Sequence, residues 1–291
     1  MTSLPVAETI AATRDAVGAA RAVGREVALV PTMGALHAGH AELVRVARRE
    51  VGPSGFVVVS IFVNPTQFGP GEDFDRYPRA LEADRRLCGE AGADLVFHPS
   101  VAEMYPGRPL AFVEVGELGD HLCGPSRPGH FRGVCTVVLK LLNIVRSDVS
   151  VFGAKDAQQV RILRRMVADL NAPGRVVVAP TVREPDGLAL SSRNAYLSPA
   201  DRALAPRIYA ALLVVRDRVA AGETDTARLE RDLRADLAAI PGARVDYASV
   251  VDDEAMQPLP TLHRPALVAV AVHLGRTRLI DNLSVSPPVL P

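Results

Sequence analysis

The sequence predicts an α/β protein, a doubly wound parallel sheet followed by a smaller α+β domain. Three observations support this. The first half alternates short apolar, β-rich blocks with segments of helical periodicity, as a sheet covered by helices on both faces requires. The chain, at 291 residues, is longer than one typical domain. Near Pro180 the alternation stops, and two helical segments follow one another with no buried strand between them.

In chain order, apolar residues at spacings of three and four predict helices over Ala7–Val23, Ala41–Glu50, Pro78–Ala91, Val134–Arg146 and Ala157–Leu170. Runs rich in β-branched residues between them predict strands over Val27–Val30, Phe56–Val63, Asp94–Phe97, Val149–Phe152 and Val176–Ala179. The polar stretch from Arg183 to Asn194 marks a junction, which divides the chain into domains 1–181 and 182–291. Beyond it, helices are expected near Pro199–Ala220 and Thr226–Ala239, then strands near Val245–Val251, Ala266–Leu274 and Thr277–Ile280. Gly275 and Arg276 join the last two as a tight hairpin.

Composition excludes several function classes. Lys+Arg and Asp+Glu both count 33, so no net charge draws the chain to nucleic acid. No uninterrupted apolar stretch approaches the roughly 18 residues of a membrane span. The N-terminal segment carries Glu8 and Asp15 and lacks the basic start of a secretory signal. Cys88, Cys123 and Cys135 form an odd set without a CxxC pair, which suits a reducing compartment and places the protein in the cytoplasm.

The sharpest motif is Pro31-Thr32-Met33-Gly34-Ala35-Leu36-His37-Ala38-Gly39-His40, which leaves the first long strand and enters a helix. Ligands of open α/β sheets sit at the carboxyl ends of strands, where helix-opening amides attract phosphate. Gly34 and Gly39 allow close backbone approach, and His37 and His40 are placed to donate to phosphate oxygens gaining charge. A His-x-x-His metal pair and purely structural histidines are the competing readings, and neither explains the glycines. Neither GxxxxGK[ST] nor GxGxxG after the first strand is present, so a P-loop and a standard dinucleotide site are unsupported.

Other strand ends add candidates. Asn64 and Gln67 follow the Phe56–Val63 run and offer neutral amides suited to hydroxyls and a carboxylate. Lys140 and Lys155 are the only lysines in an arginine-rich chain. Lys140 lies in an apolar helix, where its stem packs and its head reaches water. Lys155, at a strand end beside glycine, suits a compact point charge on phosphate. Ser191, Ser192 and Arg193, at the junction, form a plausible phosphate clamp on a segment able to move.

The blocks PTMGALHAGH, FVNPTQF, RPGHFRGV, FGAKDAQQ and DGLALSSRN stand in the order and approximate spacing of the pantothenate synthetases, or pantoate–beta-alanine ligases, and the resemblance covers nearly the whole chain. The His-x-Gly-His element alone is shared with a wider superfamily of nucleotidyl transferases and class I aminoacyl-tRNA synthetases. The resemblance implies a Rossmann-like fold and a cytoplasmic homodimer. It also implies a two-step reaction in which pantoate and ATP form pantoyl adenylate and pyrophosphate, after which β-alanine displaces AMP. By resemblance, Met33 to His40 form the ATP loop, with His40 as proton donor, and Gly153, Lys155 and Asp156 contact ribose and phosphate. Val182 and Leu190 through Arg193 contact adenine and triphosphate, Gln67 and Gln159 hold pantoate, and Asp84 stands where the family places a Mg2+-associated carboxylate. Ala154 departs from the Glu or Gln usual there, and Ala157 is smaller than is common. A nucleotidyl transferase that keeps the nucleotide in its product, and a regulatory protein that binds nucleotide without turnover, are the alternatives.

Overall fold

A computed structural model describes residues 4–72 and 74–287. The chain divides into two compact units. The first comprises residues 1–115, 127–154 and 162–180; the second comprises 116–126, 155–161 and 181–291.

The first unit is built on a parallel sheet of β1 (Val6–Ala7), β2 (Val27–Thr32), β3 (Phe56–Ile61), β4 (Leu95–Phe97), β5 (Val149–Gly153) and β6 (Arg175–Ala179), in the order β1-β4-β3-β2-β5-β6. Its helices are α1 (Ile10–Ala22), α2 (Ala38–Val51), α3 (Leu81–Ala91), the single turn α4 (Val101–Met104) and α6 (His130–Val145), with another single turn, α5 (Cys123–Ser126), belonging to the second unit. Helix α7 (Ala157–Asp169) follows β5, and its residues through Arg161 group with the second unit. Every residue of β3, and Val27–Val30 of β2, is buried, because both faces of the sheet are covered. This is why these strands read as unbroken apolar runs. Val44, Ala47, Val57, Val59 and Val151 belong to the core that joins sheet and helices on one face. The chain reverses direction across the sheet between β2 and β5, and the carboxyl end of β2 is therefore a topological switch point.

The second unit carries α8 (Pro199–Leu204), α9 (Pro206–Ala220) and α10 (Thr226–Ala238), then the antiparallel sheet β7 (Ala243–Asp252), β8 (Ala266–Leu274) and β9 (Thr277–Val285). Ile208, Leu212 and Val215 of α9 and Leu229, Leu233 and Leu237 of α10 pack with Val268, Val270 and Val272 of β8. Apolar burial of this kind contributes about 25 cal/mol per Å² and holds these helices to the sheet.

Several element bounds differ from the sequence expectation. The predicted Ala7–Val23 helix starts at Ile10, because the Thr9 side chain accepts from Ala12 N–H and caps it there. Val6 and Ala7 instead pair in parallel with Val96 and Phe97 as a short edge strand. The expected Pro199–Ala220 helix is two helices. Pro206 has no N–H to continue the first and sits comfortably in the opening turn of the second. Strand β9 runs five residues past Ile280 through polar positions, since Asp281 is buried in an ion pair with Arg183.

Candidate active site

Strand β2 ends at Thr32, whose hydroxyl donates to the Ser60 carbonyl at 2.7 Å and ties the exit of β2 to β3. The next residues turn in the left-handed region, with Gly34 at φ +87° and Ala35 at φ +50°. A side chain at Gly34 would be strained by that φ, and its Cβ would stand 3.1 Å from both Asp84 Oδ2 and Ile61 Cγ2. Asp84, on α3 and only 2% exposed, braces the turn: Oδ2 accepts from Ala35 N–H at 2.9 Å and Oδ1 from Leu36 N–H at 2.7 Å. Burial pushes the Asp84 carboxyl above the usual range, and the two N–H groups pull against it. A cavity of about 310 Å³ opens beside the loop, lined by Met33, Gly34, Phe62, Asp84 and His98 among others.

The two imidazoles cap α2 reciprocally. His37 Nδ1 accepts from Gly39 N–H at 3.1 Å, and His40 Nδ1 accepts from His37 N–H at 3.3 Å. Their rings lie 4.1 Å apart. A nitrogen that accepts from an N–H carries no proton, so these bonds assign both rings as neutral with the proton on Nε2. Each ring is thereby oriented by its own helix start, with an N–H donor on the side away from the cap. Such a pair beside opening helix amides is suited to phosphate.

The end of β3 supplies the amides. Asn64 is enclosed, at 1% exposure, and its side chain is fully engaged. Its Oδ1 accepts from Thr66 N–H, the Thr66 hydroxyl and the Tyr105 hydroxyl. Its Nδ2 donates to the Gly133 carbonyl and to Gln67 Oε1, each at 3.2 Å. Asn64, expected to meet substrate, is tied to Thr66, Tyr105 and Gly133, and through Nδ2 it also holds Gln67. Gln67 is half-buried, and its Nε2 lies 2.9 Å from Met33 Sδ, which links the amide to the β2 loop.

In the second unit, Lys155 is half-buried, and its carbonyl accepts from Asn282 Nδ2 at 2.8 Å. No carboxylate partner of its ammonium is found among the described residues, and Asp156 beside it is exposed. The adjacent glutamines divide their tasks. Gln158 is buried and ties three backbone groups, accepting from Cys123 N–H and donating to the Leu118 and His121 carbonyls. Gln159 is half-buried and makes no such bonds among the described residues. Val182 and Leu190 are paired, Leu190 N–H donating to the Val182 carbonyl at 3.0 Å across a turn. Arg183 is fixed there by a bidentate bond to Asp281 and by the Tyr209 ring, 3.5 Å from its guanidinium carbon. Ser191 then caps a short 3-10 turn, Ser192–Tyr196, that contains Arg193.

The structure thus brings together Met33, Gly34, His37, Gly39, His40, Gln67 and Asp84 in the first unit, where Gly153 ends β5. It gathers Val182 and Leu190 through Arg193 in the second, to which Lys155, Asp156 and Gln159 also belong. No group of three His, Cys, Asp or Glu able to hold a metal ion occurs among the described residues. The family sequence model described as pantoate-beta-alanine ligase matches residues 5–284. The chain belongs to the pantoate-beta-alanine ligase family. The pantothenate synthetase of Moorella thermoacetica is 51% identical over 95% of this chain and 96% of its own length. That of Alcanivorax borkumensis is 52% identical over 97% and 98%. Among solved structures, pantothenate synthetase from Thermus thermophilus superposes with a TM-score of 0.91 at 48% identity, covering 98% of this chain and all of that one. The pantoate-beta-alanine ligase of Francisella tularensis, solved with beta-gamma ATP and beta-alanine, has a TM-score of 0.78 at 34% identity, with 97% of each chain covered. The family's α/β architecture with a second unit is the one found here.

Two supporting groups lie outside what the sequence predicts. Nothing in Gln158-Gln159 marks the first as internal, although its register on α7 places it next to buried Ala157. The bracing role of Asp84 had one signal, an acidic residue on a helix face otherwise occupied by Cys88 and Ala91.

Proposed function

We propose that this chain joins pantoate to β-alanine at the expense of ATP, releasing AMP and pyrophosphate. Membership of the pantoate-beta-alanine ligase family over residues 5–284, together with the braced His-x-Gly-His loop at a sheet switch point, carries this reading. The complex of the Francisella tularensis relative with beta-gamma ATP and beta-alanine supports the same co-substrates.

In the first step a carboxylate oxygen of pantoate attacks the α-phosphorus of ATP, and the bond to the bridging oxygen breaks with departure of pyrophosphate. The residues supply alignment and charge stabilisation rather than a covalent partner. The Nε2–H groups of His37 and His40 stabilise the phosphate oxygens as hydrogen-bond donors, each neutral ring keeping its proton. Lys155 adds a point charge to the same phosphates. Gly153 and Asp156 meet the ribose and phosphates, and Val182 and Leu190 through Arg193 meet adenine and triphosphate. Gln67 and Gln159 hold pantoate, with Asn64 behind Gln67. In the second step the β-alanine amine attacks the acyl carbon and AMP leaves. AMP is a far better leaving group than oxide, which is the reason for activating the acid first.

Mg2+ enters with the nucleotide. Magnesium is commonly held by substrate phosphates and water with one or two carboxylates, so a protein cage of three acidic ligands is not needed. Asp84 is the carboxylate nearest the loop by its bonds, and its two oxygens are already engaged on Ala35 and Leu36. We assign residues 182–291 the role of a lid and the working form to a cytoplasmic homodimer. The three free, buried cysteines suit a reducing compartment; burial pushes the Cys88 and Cys135 thiols up to about 12, leaving them inert.

The test is product analysis with ATP, Mg2+, pantoate and β-alanine. Stoichiometric AMP and pantothenate are expected, each dependent on both substrates. Release of ADP, or an adenylylated product that persists with the amine present, contradicts the assignment.

A further inference from the structure

Of the sequence blocks shared with the family, Arg127–Val134 contributes no side chain to the chemistry above, yet it surrounds Gln67. His130 Nδ1 lies 2.8 Å from the Gln67 carbonyl oxygen, and His130 Nε2 lies 2.9 Å from Arg127 Nη1. A carbonyl only accepts and a guanidinium only donates, so Nδ1–H donates to Gln67 while Nε2 accepts from Arg127. The ring is neutral, with its proton directed at the Gln67 peptide. Arg127 Nη2 reaches the same carbonyl at 3.3 Å. The guanidinium is itself gripped by Glu72, with Nε to Oε1 at 2.8 Å and Nη2 to Oε2 at 2.6 Å.

The helix that carries His130 is pressed onto this turn. A Cβ on Gly133 would fall 2.2 Å from the Thr66 carbonyl oxygen and 2.7 Å from Gln67 N, so only glycine permits the approach. The peptide of Gln67 is therefore held from outside by His130 and Arg127, while its carboxamide is held by Asn64 and Met33.

We propose that His130 and Arg127 are positioning residues that fix the backbone of Gln67 and so set the point at which its carboxamide meets pantoate. The inference rests on Gln67 contacting pantoate. A misplacement of about 1 Å in such a group costs up to about a hundredfold in rate. Glu72 anchors the relay from the far end of the same loop.

The experiment measures KM for pantoate, ATP and β-alanine, and kcat, in the full-length enzyme carrying Gln67→Ala, His130→Ala, His130→Asn or the double change Gln67→Ala with His130→Ala. His130→Ala is expected to raise the pantoate KM by about tenfold while the ATP KM stays within about twofold. His130→Asn places an amide N–H near the position of Nδ1–H and should recover most of that loss. The double variant should be no worse than Gln67→Ala, because His130 acts through Gln67. A pantoate KM in His130→Ala within about twofold of wild type, equal losses for ATP and pantoate, or effects that multiply in the double variant each overturn the proposal. If Gln67→Ala alone leaves pantoate KM unchanged, the contact assigned to Gln67 fails and the proposal falls with it. A rise in Gln67→Ala without one in His130→Ala overturns the positioning role alone. Should His130→Ala fail to fold, Arg127→Lys keeps the charge opposite Glu72 but loses the fork; the same split between pantoate and ATP is expected, and its absence is decisive against the proposal.

Discussion

Asp84→Asn separates bracing of the nucleotide loop from metal binding. The change preserves shape, but an amide has one acceptor where the carboxylate has two. One of the bonds to Ala35 and Leu36, at 2.9 and 2.7 Å, is lost, and an NH2 group then faces a backbone N–H. Bonds to a charged acceptor contribute about 1.5–3 kcal/mol each, and an unpaired buried donor costs about 1–3 kcal/mol. Relief of the buried charge, whose pKa is raised by burial, offsets part of this. A net loss of about 1.4 kcal/mol in ordering of Gly34–Leu36 corresponds to about tenfold in ATP KM. The assay is pyrophosphate exchange into ATP with pantoate, across ATP concentrations at several Mg2+ levels. Bracing predicts a higher ATP KM with an unchanged Mg2+ requirement. An ATP KM within about twofold of wild type, or a defect that excess Mg2+ abolishes, refutes the bracing argument.

Further outcomes follow from the same geometry. His40→Ala should slow adenylate formation by about 10²–10³, read by single-turnover pyrophosphate release, since it removes a preoriented donor; a near-normal rate contradicts its role. Gln158→Ala should lower thermal stability by several degrees by leaving buried backbone groups unpaired, whereas Gln159→Ala should leave stability alone and raise pantoate KM. The reverse pattern would exchange their assignments. Lys155→Arg should impair exchange despite the retained charge, because a planar fork does not replace a compact ammonium; full activity removes Lys155 from the phosphate site. Burial raises the Glu72 pKa, but Arg127 outweighs it, and the carboxyl lies below its ordinary value of 4.5. The Glu72–Arg127 link therefore stabilises the fold above pH 4.5 and loses that contribution as pH falls through the lowered value. Glu72→Gln should cost about 1–3 kcal/mol at neutral pH and progressively less in acid by denaturant titration, and an equal cost throughout contradicts the sign.

What is readable in the sequence, and what is not, follows from how burial is achieved. Strands β2 and β3 are covered on both faces, so their apolar runs are continuous and their starts agree with the structure. The loop after β2 is legible because glycines, imidazoles and a helix start converge within ten residues. Strand β9 is longer than its apolar pattern because Asp281 is hidden by pairing with Arg183, and a paired buried charge looks like a surface residue in one dimension. Asn64 reads as an available amide for the same reason, and nothing local separates the internal Gln158 from Gln159. The partners, Gly133 and Tyr105 for Asn64 and Leu118, His121 and Cys123 for Gln158, are distant in sequence. The relay from Glu72 through Arg127 and His130 to Gln67 joins segments more than fifty positions apart, and no local pattern announces it.

Pyrophosphate exchange without amine reaches the central claim most directly. Labelled pyrophosphate should enter ATP when pantoate is supplied with Mg2+ and β-alanine is left out, because the acid alone suffices to reach the adenylate. Exchange that proceeds without pantoate, or pantothenate formation by an enzyme that shows no exchange, contradicts activation of the acid on this scaffold.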